Sequence, residues 1–484
     1  MDHTQQDLRS QIPDLIPFLE PDEKIVSVED QGIVFPDQLM DAHEALAHLS
    51  KVERVEDIGK AGPPMASIAL GKNTEVKMLR MYEAVFGRDS LYMSDHLLTL
   101  FPELARVTLV YLASMQGLEF RQYAEEEPGR IAHEIRPPED PIGQELTKEK
   151  GWLWPYYGSI DSTLLFIRVL YRYSSEIEHG EKILEQTFQG RDGKTRTMFE
   201  ALDMAVRWVE TRMDTNPQGF IESKPEFPMS LVIQSLQDSN KSDSLFERNG
   251  RFANDKQGII ATEVQGQAYD ALVFASRLLK RDDLKIRAEK LKSEIMKFWI
   301  EDDHGSYFAS GADRDDAGNI RLMNTHKPIA AFILNTELFA EKNPELEQKL
   351  DAWVKTLFSP AVLAAGGLRS LPSNEPYYTP VSYHNGSVWP VITYEVARGL
   401  RKQGYENEAK DLEDRILRIV HETKLYPEYV RGDEGDTIAI NMRVITSQKT
   451  YQTEPHRIER PPQLYQGWTV SAVAAILHDQ KDPK

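Results

Sequence analysis

Residues 263–298 read EVQGQAYDALVFASRLLKRDDLKIRAEKLKSEIMKF, and the two halves ask for different surroundings. From Ala268 to Leu279 the apolar positions run almost all round a helix, which calls for burial on most sides. From Leu284 onward, Leu284, Ala288, Leu291, Ile295 and Phe298 recur at three- and four-residue steps, the single stripe of a helix with one face in solvent. A polar opening, Glu263 to Gly266, stands ahead of both. The stretch is therefore a helical hairpin with a buried inner arm, an amphipathic outer arm and a polar motif at the inner arm's start.

The same grammar recurs along the chain without sequence repetition. Polar and aromatic openings stand at Phe86–Ser90, Tyr156–Asp161, Glu263–Gly266, Asn324–His326, His384–Ser387 and Gln466–Thr469. All-round apolar runs follow them, such as TLLFIRVLY at 163–171 and VITYEVARGL at 391–400, and striped helices such as Ala409, Leu412, Ile416 and Val420 come between. Six inner and six outer helices close into an all-α (α/α)6 toroid of the six-hairpin type, with minor β-hairpins. Its inner-helix starts gather at one mouth, where unpaired backbone N–H groups can hold a polyhydroxylated ligand. Glycines 87, 158, 266, 386 and 467, beside the openings, are read as close backbone turns.

Residues 1–80, acidic and proline-containing, form an N-terminal extension packed on the barrel, with a short strand at Ile25–Val28 and a helix near Ala42–Leu49; 81–484 form the catalytic domain. Residues 308–322 read as a hairpin whose tip carries GADRDDAGN, without the spacing or closing Glu of a calcium loop. Residues 433–465 are a polar excursion that suits a lid.

The chain's 484 residues carry 77 acidic and 57 basic side chains, a net charge of −20, which repels nucleic acid and anionic membrane surfaces. It contains no cysteine, so thiolate zinc sites and cysteine nucleophiles are excluded. His43 and His48 mimic a zinc motif, but their five-residue spacing puts them ~140° apart on a helix. No metal and no cofactor is expected. The N-terminus lacks a secretory pattern, so the expected location is cytoplasmic. The oligomeric state is not encoded in any motif.

Cleavage of a glycosidic bond needs a protonated carboxyl for the leaving oxygen and an ionised one for water or the anomeric carbon. Loop carboxylates on the mouth side are Asp238, ahead of the third inner helix, and Glu428, ahead of the sixth, with Asp89, Asp243 and Glu263 as rivals. Placed across the ring, ~6.5–9.5 Å apart, such a pair admits a water and inverts the anomeric configuration. Trp152, Trp154, Tyr156, Tyr157, Trp389 and Trp468 offer flat faces for a sugar. A sugar epimerase on a similar toroid is the rival class, working through His326, His384 or His456.

Taken in order, FGRDSL (86–91), YYGSIDSTLLF (156–166), QDS (237–239), GIIATEVQG (258–266), GGLRSL (366–371), SYHNGSVWP (382–390) and YPEY (426–429) resemble the bacterial amylo-alpha-1,6-glucosidase-like proteins. These are related to the C-terminal part of glycogen debranching enzyme and to glycoside hydrolase family 63. The resemblance spans about residues 80–475. It implies an inverting hydrolase of α-glucosides with Asp238 as general acid and Glu428 as general base. It places Arg88, Asp89, Tyr157, Asp161, Glu263, Gln265, His384, Asn385, Trp389 and Trp468 at sugar-binding or site-shaping positions. Two residues before the acid this chain has Leu236 where such proteins carry Trp, and the segment from Ser239 to Asp243 is longer, which keeps Asp243 as an alternative acid. The large β-rich domain that precedes the barrel in such proteins is missing. The substrate is therefore a small saccharide or an α-glucan, with glucosylglycerate and mannosylglycerate as alternatives.

Overall fold

The computed structural model describes residues 24–238, 244–446 and 460–481. In chain order its helices are α1 (Ala42–Leu49), α2 (Gly87–His96), α3 (Pro102–Ser114), α4 (Pro141–Lys150), α5 (Ser162–Glu176) and α6 (Met198–Met213). They continue with α7 (Thr262–Leu279), α8 (Asp282–Ile295), α9 (Pro344–Leu357), α10 (Pro390–Gln403), α11 (Glu406–Thr423) and α12 (Gly467–Lys481).

The inner ring closes as α2, α5, α7, the 3-10 segment Pro328–Asn335, α10 and α12, each packed on the next and α12 packed back on α2. Burial follows the sequence pattern. Every residue of α7 from Thr262 to Ala275 is buried, whereas α8 buries only Leu284, Ala288, Leu291 and Ile295. Leu284, Leu291 and Ile295 each contribute roughly 1.5–3 kcal/mol by leaving water, and together they fasten α8 to α7. The outer helices α3, α6, α8 and α11 pack on α2, α5, α7 and α10. The outer place beside α12 is taken by α1, so the last hairpin of the toroid is completed from the chain's beginning. Asp41 starts α1 by accepting hydrogen bonds from the backbone N–H groups of His43 and Glu44 at 2.8 and 3.4 Å.

The fourth inner element departs from the expected helix. PIAAFILN winds as a 3-10 segment of eight residues, set between Pro328 and Thr336, whose hydroxyl caps the turn that follows. All eight residues are buried, so packing on α7 and α10 holds a geometry that backbone bonding alone favours only in shorter runs.

Small sheets decorate this frame. Lys24–Ser27 pairs with Arg443–Thr446, and Gly311–Arg314 pairs with Ile320–Met323 on one side and Ile260–Ala261 on the other. At the hairpin tip the Asp315 carboxylate accepts the N–H groups of Ala317 and Asn319 and the Asn319 amide. That aspartate is spent on its own turn.

Candidate active site

The helix starts decide where the polar openings meet. Arg88 and Asp89 lie in the first turn of α2, Asp161 immediately precedes α5, Glu263 opens α7, Trp389 precedes α10 and Trp468 opens α12. One cleft is lined by Tyr82, Phe86, Arg88, Asp89, Leu236, Asp238, Tyr383, Trp389, Glu428, Gln466 and Trp468. Its free volume is about 30 Å³, room for water and short of a pyranose ring.

Arg88 organises one wall. Its Nε donates to Asp161 Oδ2 at 2.7 Å and its Nη1 to Asp238 Oδ2 at 2.9 Å, while its buried Nη2 has no partner among the described residues. The Asp161 carboxylate also accepts the Ser159 hydroxyl at 2.5 Å, which fixes the guanidinium from behind. Asp238 is half-buried, and that burial pushes its carboxyl above the usual range against the opposing pull of Arg88.

Glu428 faces the same cleft. It is 3% exposed, accepts the Tyr383 hydroxyl on Oε1 at 2.5 Å and accepts the Gln463 N–H on Oε2 at 3.2 Å. Burial pushes this carboxyl up, while the Tyr383 hydroxyl, Arg460 and the Gln463 N–H favour its ionised form. Asp89 accepts the Gln466 amide at 3.1 Å and is pushed up to about 8 by burial. Glu263, bonded to the Ser235 hydroxyl at 2.9 Å, is pushed up to about 7, again by burial. Burial thus favours the protonated form at each of these carboxyl groups, and a carboxyl can donate when protonated and accept when ionised. The buried Gln466 Oε1 and Trp468 Nε1 have no partner among the described residues, which adds an acceptor and a donor.

Of the residues expected from sequence, Arg88, Asp89, Asp238, Trp389, Glu428 and Trp468 come together at the cleft, with Asp161 directly behind Arg88. Others stand in the supporting structure. Tyr157 donates to the Met115 carbonyl at 2.5 Å, and Gln265 is engaged by the Ile221 backbone on both sides of its amide. Asn385 accepts from Lys327 at 3.1 Å, and His384 lies stacked against Trp389 with ring centroids 4.9 Å apart. Trp152 stacks on Tyr156 at 4.0 Å, in the wall that supports His133. His326 is packed on Tyr307, and neither it nor His384 lines the cleft. Asp243 and His456 lie outside the described residues, as does much of the proposed lid.

Sequence reasoning missed Tyr82, His133, Tyr383 and Gln466 as site residues. Tyr383 and Gln466 stood inside quoted motifs, whereas Tyr82 and His133 sit in stretches with no distinguishing pattern.

Residues 236–452 match the family model described as a mannosylglycerate hydrolase MGH1-like glycoside hydrolase domain, a span that includes both Asp238 and Glu428. The family match supports a glycoside hydrolase, and the fold is the six-hairpin toroid. Among solved structures the chain is similar to the GH63 mannosylglycerate hydrolase from Thermus thermophilus. In complex with Tris and D-glycerate that enzyme aligns with a TM-score of 0.59 at 13% identity, over 90% of this chain and 98% of that one. In complex with glucose the values are 0.56 and 14% over the same shares. No curated protein sequence matches the chain. No helix among the described residues is long and apolar enough to cross a membrane.

Proposed function

We propose that the protein is an inverting hydrolase of small α-glycosides, with Asp238 as general acid and Glu428 as general base. The observation that carries this reading is that these two carboxyl groups, on loops distant in sequence, line one cleft at the N-terminal ends of the inner helices. Asp238, with its proton held by burial, protonates the glycosidic oxygen as the bond to the anomeric carbon breaks. Glu428 takes a proton from the water whose oxygen bonds to that carbon from the other face. Arg88, Asp89, Gln466 and Trp468 hold the sugar hydroxyls, and Trp389 and Trp468 supply faces for its C–H surface. Asp161, Glu263, Gln265, Tyr157, His384 and Asn385 shape the walls.

The preferred glycone is glucose, and a short aglycone such as glycerate is favoured over an α-glucan by the confined cleft. The similarity to a mannosylglycerate hydrolase makes glucosylglycerate and mannosylglycerate the first compounds to try. Residues 1–80 serve the same catalytic unit as 81–484, a reading supported by the place of α1 beside α12. The reading is tested by a panel of α-linked disaccharides, maltooligosaccharides, glucosylglycerate and mannosylglycerate with the wild type, Asp238→Asn and Glu428→Gln. Each variant is expected to lose on the order of 10²–10⁴-fold in kcat. Turnover at the wild-type rate in either one would remove that residue from its role.

A further inference from the structure

Beside the acid stands a histidine with no assigned role. The His133 ring is buried and places its Nε2 3.8 Å from Asp238 Oδ2, the oxygen that already accepts Arg88 Nη1. Its position is fixed from two sides. The backbone N–H of His133 donates to the Tyr156 carbonyl at 2.8 Å, and its carbonyl accepts the Gly87 N–H at 2.9 Å. The ring is held edge-on between Phe86 and Tyr156, at 5.4 and 6.0 Å between centroids. Nδ1 is buried and has no hydrogen-bond partner among the described residues.

The charged and titratable groups around the ring are Arg88 on α2, Arg130 on its own segment, Tyr156 and Asp238. Those around the acid are Arg88, Asp89, His133, Asp161, Glu428 and Arg460, with the phenols of Tyr82 and Tyr383. Burial, with Arg88 and Arg130, holds His133 far below the usual imidazole range, so it is neutral and carries one N–H. Among the described residues an acceptor stands near Nε2 and none bonds Nδ1, so the proton is assigned to Nε2.

We propose that His133 is a positioning residue for the acid, its Nε2–H closing on Asp238 Oδ2 when the carboxyl gives up its proton. The inference rests on the reading of Asp238 as acid. In the resting state Oδ2 accepts Arg88 Nη1, which leaves Oδ1 as the oxygen to carry the acidic proton. As that proton passes to the leaving oxygen and the glycosidic bond breaks, the charge on the carboxylate is met by a second donor. The 3.8 Å gap is too long for a hydrogen bond and needs less than about 1 Å of closure. A small rotation of the half-buried Asp238 side chain supplies it. His133 neither gains nor loses a proton, and the proton lost by Asp238 is restored from solvent after Glu428 releases the one it took from water.

The test needs no substrate. Protein labelled with carboxyl-13C aspartate is titrated by NMR, and the Asp238 signal is identified as the one absent from Asp238→Asn. His133→Phe keeps the ring and its edge contacts but removes the donor, and is expected to raise the Asp238 midpoint by about 0.5–1 pH unit. His133→Gln, whose amide nitrogen reaches the place of Nε2, is expected to restore the wild-type midpoint. If the Phe variant does not fold, His133→Met takes its place in the same titration. Equal midpoints in all proteins, or equal shifts in the Phe and Gln variants, would overturn the proposal. The acid role itself is judged separately by the activity of Asp238→Asn, so either idea can fail alone.

Discussion

Tyr383 shows how one hydroxyl tunes Glu428, the proposed base. Its 2.5 Å hydrogen bond to Glu428 Oε1 stabilises the ionised carboxylate, and the Arg460 guanidinium lies 3.8 Å over its ring. A donor to the charged form lowers a carboxyl pKa, so its removal raises it. In Tyr383→Phe, Glu428 holds its proton to higher pH, and the acidic limb of the kcat/KM profile is expected to move up by about 0.5–1 pH unit. A pH–rate series on the best substrate of the panel checks this, and an unmoved limb would mean that Glu428 does not set it. The sequence pointed to the neighbouring His384 and Asn385 through the resemblance carried by SYHNGSVWP (382–390), and to His384 again as a proton carrier under the epimerase reading. Burial reverses the roles. His384 is pressed against Trp389 and kept well below the usual imidazole range by that burial, while the buried phenol must find a partner and finds the carboxylate.

Among elements, the inner ring is held by close approach. Gly266 was read as a turn, but it lies inside α7, where an added Cβ would meet Ile333 Cγ2 at 2.6 Å. Gly399 in α10 plays the same part from the other side, its Cβ position 2.7 Å from Leu334 Cβ and 2.8 Å from the Asn335 backbone nitrogen. Both glycines let the helices clasp Pro328–Asn335. Gly399→Ala gains intrinsic helix propensity, about 1 kcal/mol, yet must push against backbone, an overpacking cost of roughly 1–3 kcal/mol or more. The expected net result is a lower urea midpoint, and an unchanged or higher midpoint would show that the ring yields there. The pattern of 263–298 made the α7–α8 hairpin legible because periodicity records which faces are buried. It could not reveal a glycine needed for a neighbour that is distant in sequence, nor the 3-10 winding of the fourth inner segment, which tertiary packing imposes.

The whole molecule is polar from end to end of the ring. The cleft lies at one end, and at the opposite end Arg172 of α5 and Arg398 and Arg401 of α10 line a cavity of about 340 Å³. At that far end Asp95 accepts from Arg172 at 2.6 Å and from Arg398 at 2.7 Å, and the Arg398 partner Glu395 also bonds His96 at 2.9 Å. Burial alone would raise the Asp95 carboxyl, but Arg172, Arg398 and Arg168 outweigh it and hold it well below the usual range. Its stabilising effect is therefore present above the unfolded value near 3.9 and is lost as pH falls toward the lower folded value. Asp95→Asn is expected to cost roughly 3–5 kcal/mol at pH 7, as removal of one partner from a buried ion pair does. The gap to wild type should narrow below about pH 4, and denaturation curves at pH 7 and pH 3.5 would show it. The ring itself was readable from six openings and their buried runs, and the bulk charge argued against nucleic acid. The far-end network was not readable, since Asp95, Arg172 and Arg398 lie on three different helices and share no local motif. At the cleft, chemistry left several loop carboxylates open, and it was the family resemblance that singled out Asp238 and Glu428. Their supporting Tyr383 and His133 were not, because contacts across the ring leave no trace in spacing. The most direct test of the whole account is proton NMR of the first sugar released from an α-glycoside. The β-anomer is predicted, from water delivered by Glu428 opposite the bond that Asp238 breaks, whereas the α-anomer as first product would contradict it and require a covalent intermediate.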